Sequence, residues 1–244
     1  MCPRAPLPSV EGMNNPTALI TGASRGLGRA LAAGLAREGF DLIIDARDRA
    51  ALDAAAGALR AAGHTVTAIP GDVTDPSHRA ALIAAASGLL DLLVNNAGTL
   101  GASPLPALAD YPVAELRAAF EANVIAPVAL TQLALPLLRA SGGAVLNITS
   151  DAAVEAYAGW GGYGAAKAAL EQASNVLAAE ELAVRVWWAD PGDLRTDMHQ
   201  AAFPGEDISD RPSPASVVPA FVRLVTERLP SGRYRASHLL PVTP

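Results

Sequence analysis

Thr17-Ala18-Leu19-Ile20-Thr21-Gly22-Ala23-Ser24-Arg25-Gly26-Leu27-Gly28 is the stretch whose reading decides the fold. A short apolar run ends in a GxxxGxG turn, and an Ala/Leu/Arg-rich helical pattern follows from Gly26 to Arg37. Strand, glycine turn and helix in that order open a βαβ unit. Such a turn lets main chain approach a pyrophosphate, and the helix starting near Gly26 aims its free N–H groups at that charge. Gly28 allows close contact between helix and sheet. A glycine-bearing turn without a ligand has the same spacing. Its place directly after the first strand favours the nucleotide reading.

The alternation continues outward. Further strands are read at 41–45, 65–69, 90–95, 144–149 and 184–189, with a weak seventh near 236–241. Helices are read at about 48–61, 76–86, 112–138, 157–182 and 214–228, with Pro127 and Pro136 expected to bend or end the long one. Strands apolar on both faces and separated by helices imply a parallel sheet covered on both sides. The fold class is α/β: a doubly wound, Rossmann-like parallel sheet of about seven strands in a single domain. The segment 192–213, rich in Gly, Asp, Pro and Ser, follows the sixth strand and falls at the carboxyl edge, where ligands bind in this architecture.

Composition narrows the classes. Of 244 residues, 51% are hydrophobic and 17% charged, which excludes wholesale disorder. The formal charge of −6 supplies no basic stripe for nucleic acid and no polybasic segment for an anionic membrane. One cysteine, Cys2, excludes an internal disulfide framework, and four scattered histidines give no zinc-like pair. The longest uncharged stretch, between Glu121 and Arg139, carries Asn123, Pro127, Gln132 and Pro136 and suits a buried, bent helix. The opening MCPRAPLPSVEGMNNP has no apolar signal core. Residues 1–15 read as a disordered lead, with Met13 an alternative start, and 16–244 as the domain of a soluble cytoplasmic protein.

Five further places extend the glycine turn into a pattern. Asn95-Asn96-Ala97-Gly98 closes the fourth strand, and Asn123 lies in the helix that follows. Ser150 ends the fifth strand. Tyr163-Gly164-Ala165-Ala166-Lys167 follows it by 13 residues, and Pro191-Gly192 with Leu194 and Thr196 follows the sixth strand. From residue 16 onward the chain resembles the short-chain dehydrogenase/reductase family, with its TGxxxGxG, NNAG, YxxxK and PGxxxT motifs. The resemblance implies a catalytic set of Asn123, Ser150, Tyr163 and Lys167. It implies a dinucleotide held by Thr21, Gly22, Ser24, Arg25, Gly26, Leu27, Gly28, Arg47, Asp72, Val73, Asn95, Ala97, Gly98, Tyr163, Lys167, Pro191, Gly192, Leu194 and Thr196.

These residue types suit hydride chemistry. Carbonyl reduction needs a hydride on carbon and a proton on oxygen. Tyr163 and Lys167 are four apart and share a helix face. An ammonium beside the phenol is expected to lower its pKa. Ser150 would polarise the substrate oxygen, unless it serves as an N-cap at the strand end. The family implies that Lys167 also bonds the nicotinamide ribose and that Asn123 anchors a water relaying protons to it. The alternative is an amphipathic Tyr–Lys pair lying on a helix surface. Of the 18 Lys and Arg residues, however, Lys167 is the single lysine. Arginine holds its proton too tightly to serve as a titratable point charge.

The second strand ends Ile44-Asp45-Ala46-Arg47. Counting from Gly28, the resemblance implies that the family's cofactor-selecting acidic position falls on Ala46, and the next one on Arg47. Arg25 and Arg47 could clamp a 2′-phosphate, so NADPH is the expected cofactor. Both could also be solvated surface arginines. A shift of one residue would bring Asp45 to the ribose and favour NADH. No metal is expected.

The substrate pocket is expected among Ala152, Val154, Tyr157, Trp160, Gly192, Met198 and Phe203, an apolar, partly aromatic set suited to a neutral carbonyl or alcohol. The chain ends SGRYRASHLLPVTP where the family commonly has a glycine-rich VDGG tail. Helices 112–138 and 157–182 are expected to form a homodimer or homotetramer seam. The expected activity is NADPH-dependent reduction of a ketone or aldehyde, or oxidation of the corresponding alcohol. A dinucleotide-sensing regulator, or an isomerase, dehydratase or epimerase on the same fold, are the alternatives.

Overall fold

Seven short apolar segments become seven parallel strands, β1 Thr17–Ile20, β2 Asp41–Ala46, β3 Val66–Pro70, β4 Leu92–Asn95, β5 Ala144–Ile148, β6 Arg185–Asp190 and β7 Gly232–Arg235. The computed structural model describes residues 15–240. The expected lead, apart from Asn15, and the alternative start at Met13 lie outside the described residues. Strand order is β3-β2-β1-β4-β5-β6-β7. The order reverses between β1 and β4, which opens a crevice at their carboxyl ends.

Both faces of the sheet are covered. Ala18 and Ile20 pack with Leu31 and Leu35 of α1 (Gly26–Arg37), Leu52 of α2 (Arg49–Ala61) and Phe221 and Leu224 of α8 (Val218–Thr226). Leu19, between them in β1, faces the other way, against Leu82 of α3 (Pro76–Ala85) and Leu130 and Leu138 of α5 (Ala126–Ser141). This alternation is why the strands read as continuous apolar runs.

Four expectations change. The long helix is α4 (Val113–Phe120), a π turn (Glu121–Ile125) and then α5, which passes through Pro136 and ends at Ser141. Pro127 lacks the N–H that the Asn123 carbonyl would receive in an α-helix, so the regular ladder fails before Pro127 rather than after it. The same helical stretch, Val113–Ser141, is long and apolar enough to cross a membrane by length and composition. Leu130, Ala134 and Leu138 face the core, but Ile125 and Leu133 are exposed, so the stretch is buried on one face only.

Helix α6 begins at Gly161 and ends at Glu180, and Asp151–Ala153 ahead of it forms a 3-10 turn. The last strand is the arginine-bearing 232–235, paired in parallel with β6, while Ala236–Leu239 forms the short helix α9. Alternating Arg233 and Arg235 reach charged partners beside the sheet, a signal that apolar content does not carry. Segment 192–213 holds a short helix, α7 (Asp197–Ala202).

Candidate active site

The glycine turn is built against its neighbours. Gly22 has φ +66, and a Cβ there would lie 2.9 Å from the Ala97 Cα. A Cβ on Gly28 would lie 2.4 Å from both the Gly22 carbonyl oxygen and the Asn96 Nδ2. Asn96 donates through Nδ2 to the carbonyls of Thr21 (2.8 Å) and Gly22 (3.2 Å). Thr21 Oγ1 accepts from the main-chain N–H groups of Asn96 and Ala97, both at 3.0 Å. Asn96 thus staples the turn to the end of β4. Nothing in the Asn95-Asn96-Ala97-Gly98 motif by itself assigns Asn96 this contact.

The turn leaves donors free. Helices α2 and α3 are capped by Asp48 and Asp75, whose carboxylates accept first-turn N–H groups. Helix α1 has Arg25 at its cap, no side-chain cap and no acid in its first turn. Uncapped N–H groups beside a tightly packed glycine turn fit a pyrophosphate. Thr196 is brought alongside, with its Cγ2 3.5 Å from where a Gly26 Cβ would stand.

Asp45 is withdrawn from any ribose. It is 1% exposed, its Oδ1 accepts from Gly22 N at 2.8 Å, and its Oδ2 bonds His78 Nε2 at 2.9 Å. Burial raises its pKa, against the lowering pull of His78 and Gly22. Arg47 is exposed just beyond the strand end. Arg25 is exposed too, and Nη1 pairs with Asp197 of α7 at 3.0 Å. Asp72 caps its own turn by accepting from Thr74 N, and Val73 offers its carbonyl to Arg79 Nη1.

Two expected cofactor residues face elsewhere. The Asn95 amide is buried and bonded to Thr131 Oγ1 and Asn147 Oδ1, because alternation along β4 turns it toward α5. Leu194 is buried in the main core, where an apolar side chain gains most. Ser24, Ala97, Gly98, Pro191 and Gly192 lie on the turns at the carboxyl edge, while Leu27 is in the first turn of α1 with its side chain in the main core.

Ser150, Tyr163 and Lys167 gather around the end of β5. Ser150 Oγ donates to Asp151 Oδ1 at 3.0 Å and accepts from Ala152 N at 3.2 Å, so it does cap the 3-10 turn. Thr149, its neighbour, is buried and donates to Glu171. The Lys167 ammonium is 5.5 Å from the Tyr163 ring centroid and donates to the Ile148 carbonyl at 2.8 Å. Burial alone lowers its pKa to about 8. Burial, then the Asp190 and Asp151 charges, pushes the Tyr163 phenol well above its ordinary value. The expected lowering of the Tyr163 pKa by Lys167 is therefore absent in the free protein. The ammonium lies 5.5 Å from the ring centroid with one N–H on Ile148, and burial is the largest cause of the raised pKa, the Asp190 and Asp151 charges adding to it.

The Asn123 side chain is held by the main chain around it. It is fully buried, donating to the Thr99 and Ala119 carbonyls and accepting from Thr99 N. Its amide is bound to main chain, so a water relay through that side chain is not available. Gly98 lies between it and the lysine: a Cβ there would be 2.5 Å from Asn123 Oδ1 and 3.8 Å from Lys167 Nζ.

On the substrate side, Trp160 packs edge-on to Tyr163 (centroids 5.7 Å) and Phe203 lies 6.0 Å beyond. Ala152 joins them with Leu100, Leu105 and Ala202. Tyr157 is about half exposed and donates to Asp151 Oδ2. Val154 and Met198 are exposed and stand outside this cluster. Leu100, Leu105 and Ala202 carry no motif, and only the folded chain places them.

A doubly wound sheet with a glycine turn at its switch point defines the class, an α/β domain of Rossmann-like architecture. The short chain dehydrogenase family matches residues 16–207, and the chain belongs to that family. It is 36% identical over 203 residues to an uncharacterized oxidoreductase of Mycobacterium tuberculosis, covering 80% of this chain and 76% of the relative. It is 37% identical over 206 residues to the sepiapterin reductase of Meriones unguiculatus, covering 78% and 79%. A solved structure from Escherichia coli, complexed with NADPH, superposes with TM-score 0.85 at 31% identity, covering 92% of this chain and 97% of that one.

Proposed function

We propose that this short-chain dehydrogenase uses NADPH to reduce the carbonyl of a small ketone or aldehyde, the reverse being oxidation of the alcohol. The observation that carries the reading is the buried Tyr163 phenol with the Lys167 ammonium 5.5 Å from its ring centroid, in a chain whose glycine turn leads into an uncapped helix. Bound reduced cofactor supplies the hydride. Tyr163 donates the proton to the oxygen that the hydride makes basic, and its raised pKa keeps that proton available at neutral pH. Ser150 Oγ turns from Asp151 to the substrate oxygen as charge grows there. Lys167 holds the cofactor ribose, and its lowered pKa lets it pass a proton toward Tyr163. The Asn123 main-chain carbonyl, freed of its usual donor by Pro127, holds the water that feeds Lys167.

Arg47 and Arg25 take the 2′-phosphate, and Arg25 gives up Asp197 to do so. The structure of the E. coli neighbour with NADPH supports that cofactor, as does the burial of Asp45 away from the ribose. Asp72 and Val73 flank the adenine. Ala152, Trp160 and Phe203 present an apolar, aromatic wall to substrate, with Tyr157 at its rim. Exposed Val113, Ile125, Leu133 and Val176 on α4 to α6 form the homodimer or homotetramer seam of a cytoplasmic enzyme. A monomeric mass in solution would contradict that assembly. Net NADPH consumption across a panel of ketones and aldehydes tests the activity. Tight NADPH binding with no consumption on any of them would overturn it and leave a sensor, and conversion without net consumption would mark an isomerase or epimerase.

A further inference from the structure

The last strand among the described residues, β7 Gly232–Arg235, reaches back to the end of β5 through Arg233. Arg233 Nε donates to both oxygens of Glu171, at 3.0 and 3.1 Å, and Nη2 donates to the Ser150 carbonyl at 3.2 Å. Glu171 Oε1 also accepts from Thr149 Oγ1 at 2.8 Å. Three consecutive residues at the end of β5 are thus held in turn: Ile148 by Lys167, Thr149 by Glu171 and Ser150 by Arg233. Glu171 is 9% exposed and Lys167 is 4% exposed. They are four residues apart on α6, the spacing at which a carboxylate and an ammonium pair along one helix face.

We infer that Arg233 is a positioning residue for the proton-handling pair: it holds the Glu171 carboxylate away from Lys167 and ties the Ser150 end of β5 to the helix bearing Tyr163. A buried carboxylate must find a cation or hydrogen-bond donors. With Arg233 in place Glu171 is satisfied by the guanidinium Nε–H and the Thr149 hydroxyl, and Lys167 stays on Ile148. With Arg233 removed, the nearest basic group along the helix is Lys167. Pairing would draw its ammonium down the helix, away from the ribose and the Tyr163 ring. The other charges facing this region have their own partners: Asp190 lies 3.7 Å from Arg235 Nε, and Asp151 accepts from Ser150 and Tyr157. Glu171 is the carboxylate that loss of Arg233 releases.

The catalytic consequence rests on the proposed reduction, but the electrostatic claim can be read without turnover, because Lys167 is the chain's single lysine. Protein grown with isotope-labelled lysine gives one side-chain resonance to titrate. In the wild type that resonance is expected to titrate near 8. In Arg233→Gln it is expected to rise by at least ~1 pH unit, because a released carboxylate favours the ammonium. In Arg233→Gln/Glu171→Gln it returns to the wild-type value, since no carboxylate remains to compete. Glu171→Gln alone is expected to move it by less than ~0.3, because Arg233 already neutralises that charge. NADPH-dependent reduction follows the same order, falling about 30-fold in Arg233→Gln and recovering most of that loss in the double variant.

A resonance that titrates alike in wild type and Arg233→Gln, or stays displaced in the double variant, overturns the inference. If Arg233→Gln does not fold, Glu171→Gln decides by itself: a large fall in the Lys167 titration would mean that the ammonium already feels Glu171. A wild type inactive on every carbonyl would sink the proposed function while leaving the titration to judge Arg233.

Discussion

From β3 to β1 the carboxyl edge of the sheet is held largely by bonds and close packing onto the main chain of the glycine turn. Gly22 N donates to the Asp45 carboxylate, the Asn96 amide clasps the Thr21 and Gly22 carbonyls, and Gly28 leaves room for the Gly22 carbonyl and that amide. From β5 to β7 the same edge is held by side-chain charges, Arg233 on Glu171 and Arg235 near Asp190, with Arg211 near Asp193 on the loop beyond. The first region leaves no room for a larger side chain at Gly28. The second is set by which charges face one another. The difference predicts that substitutions in the first region act by sterics and those in the second by charge.

The largest effect should come from Gly28→Val. Its Cβ would stand 2.4 Å from main chain at Gly22, leaving little room for relaxation. The expected cost is at least about 3 kcal/mol, with a Tm fall of about 5–10 °C and no thermal shift on adding NADPH. A variant that binds NADPH normally would break the claim that main-chain packing governs this region.

Lys167→Met tests the charge side of the contrast. The folded-state pKa of about 8 lies below the ordinary lysine value of 10.5, so the unfolded chain binds more protons between them. Wild-type stability should therefore rise with pH from about 8 to 10.5, once the buried ammonium is relieved of its charge. Near neutral pH Lys167→Met should be more stable than wild type by about 1–3 kcal/mol, though inactive, with the gap closing as pH passes 10. Denaturant unfolding across that range measures it.

Smaller effects follow on the exposed arginines. Arg47→Ala should raise KM for NADPH about 10–100-fold while leaving that for NADH unchanged, as loss of a charge-assisted phosphate contact requires. Equal losses with both cofactors would assign Arg47 to the fold instead. Asp197→Asn removes an ion pair in which both side chains are more than 70% exposed, and stability should change by less than ~1 kcal/mol. NADPH affinity should improve slightly as Arg25 is freed.

The same contrast explains what the sequence made legible. Gly22, Gly28, Ser150, Tyr163 and Lys167 were readable because the chemistry or the backbone tolerates few other residues at those spacings. Strand positions followed from apolar runs, except β7, whose residues are held by ion pairs that have no periodicity. Asn95 and Asn96 are adjacent and identical in composition. Only the pleat of β4 decides that Asn95 turns inward and Asn96 clasps the turn. Asn123 was readable as a position, but its π turn depends on a missing donor at Pro127, four residues on. The partnership of Glu171 with Arg233 joins residues 62 apart and left no local mark.

The account stands on Tyr163 as the proton donor, and the most direct test is a single-turnover measurement on Tyr163→Phe preloaded with NADPH. Hydride transfer to an aldehyde that the wild type reduces should slow by about 10³-fold or more, with NADPH affinity within about 3-fold of wild type, since the ring and its packing on Trp160 remain. A variant that turns over at the wild-type rate with cofactor bound would contradict it.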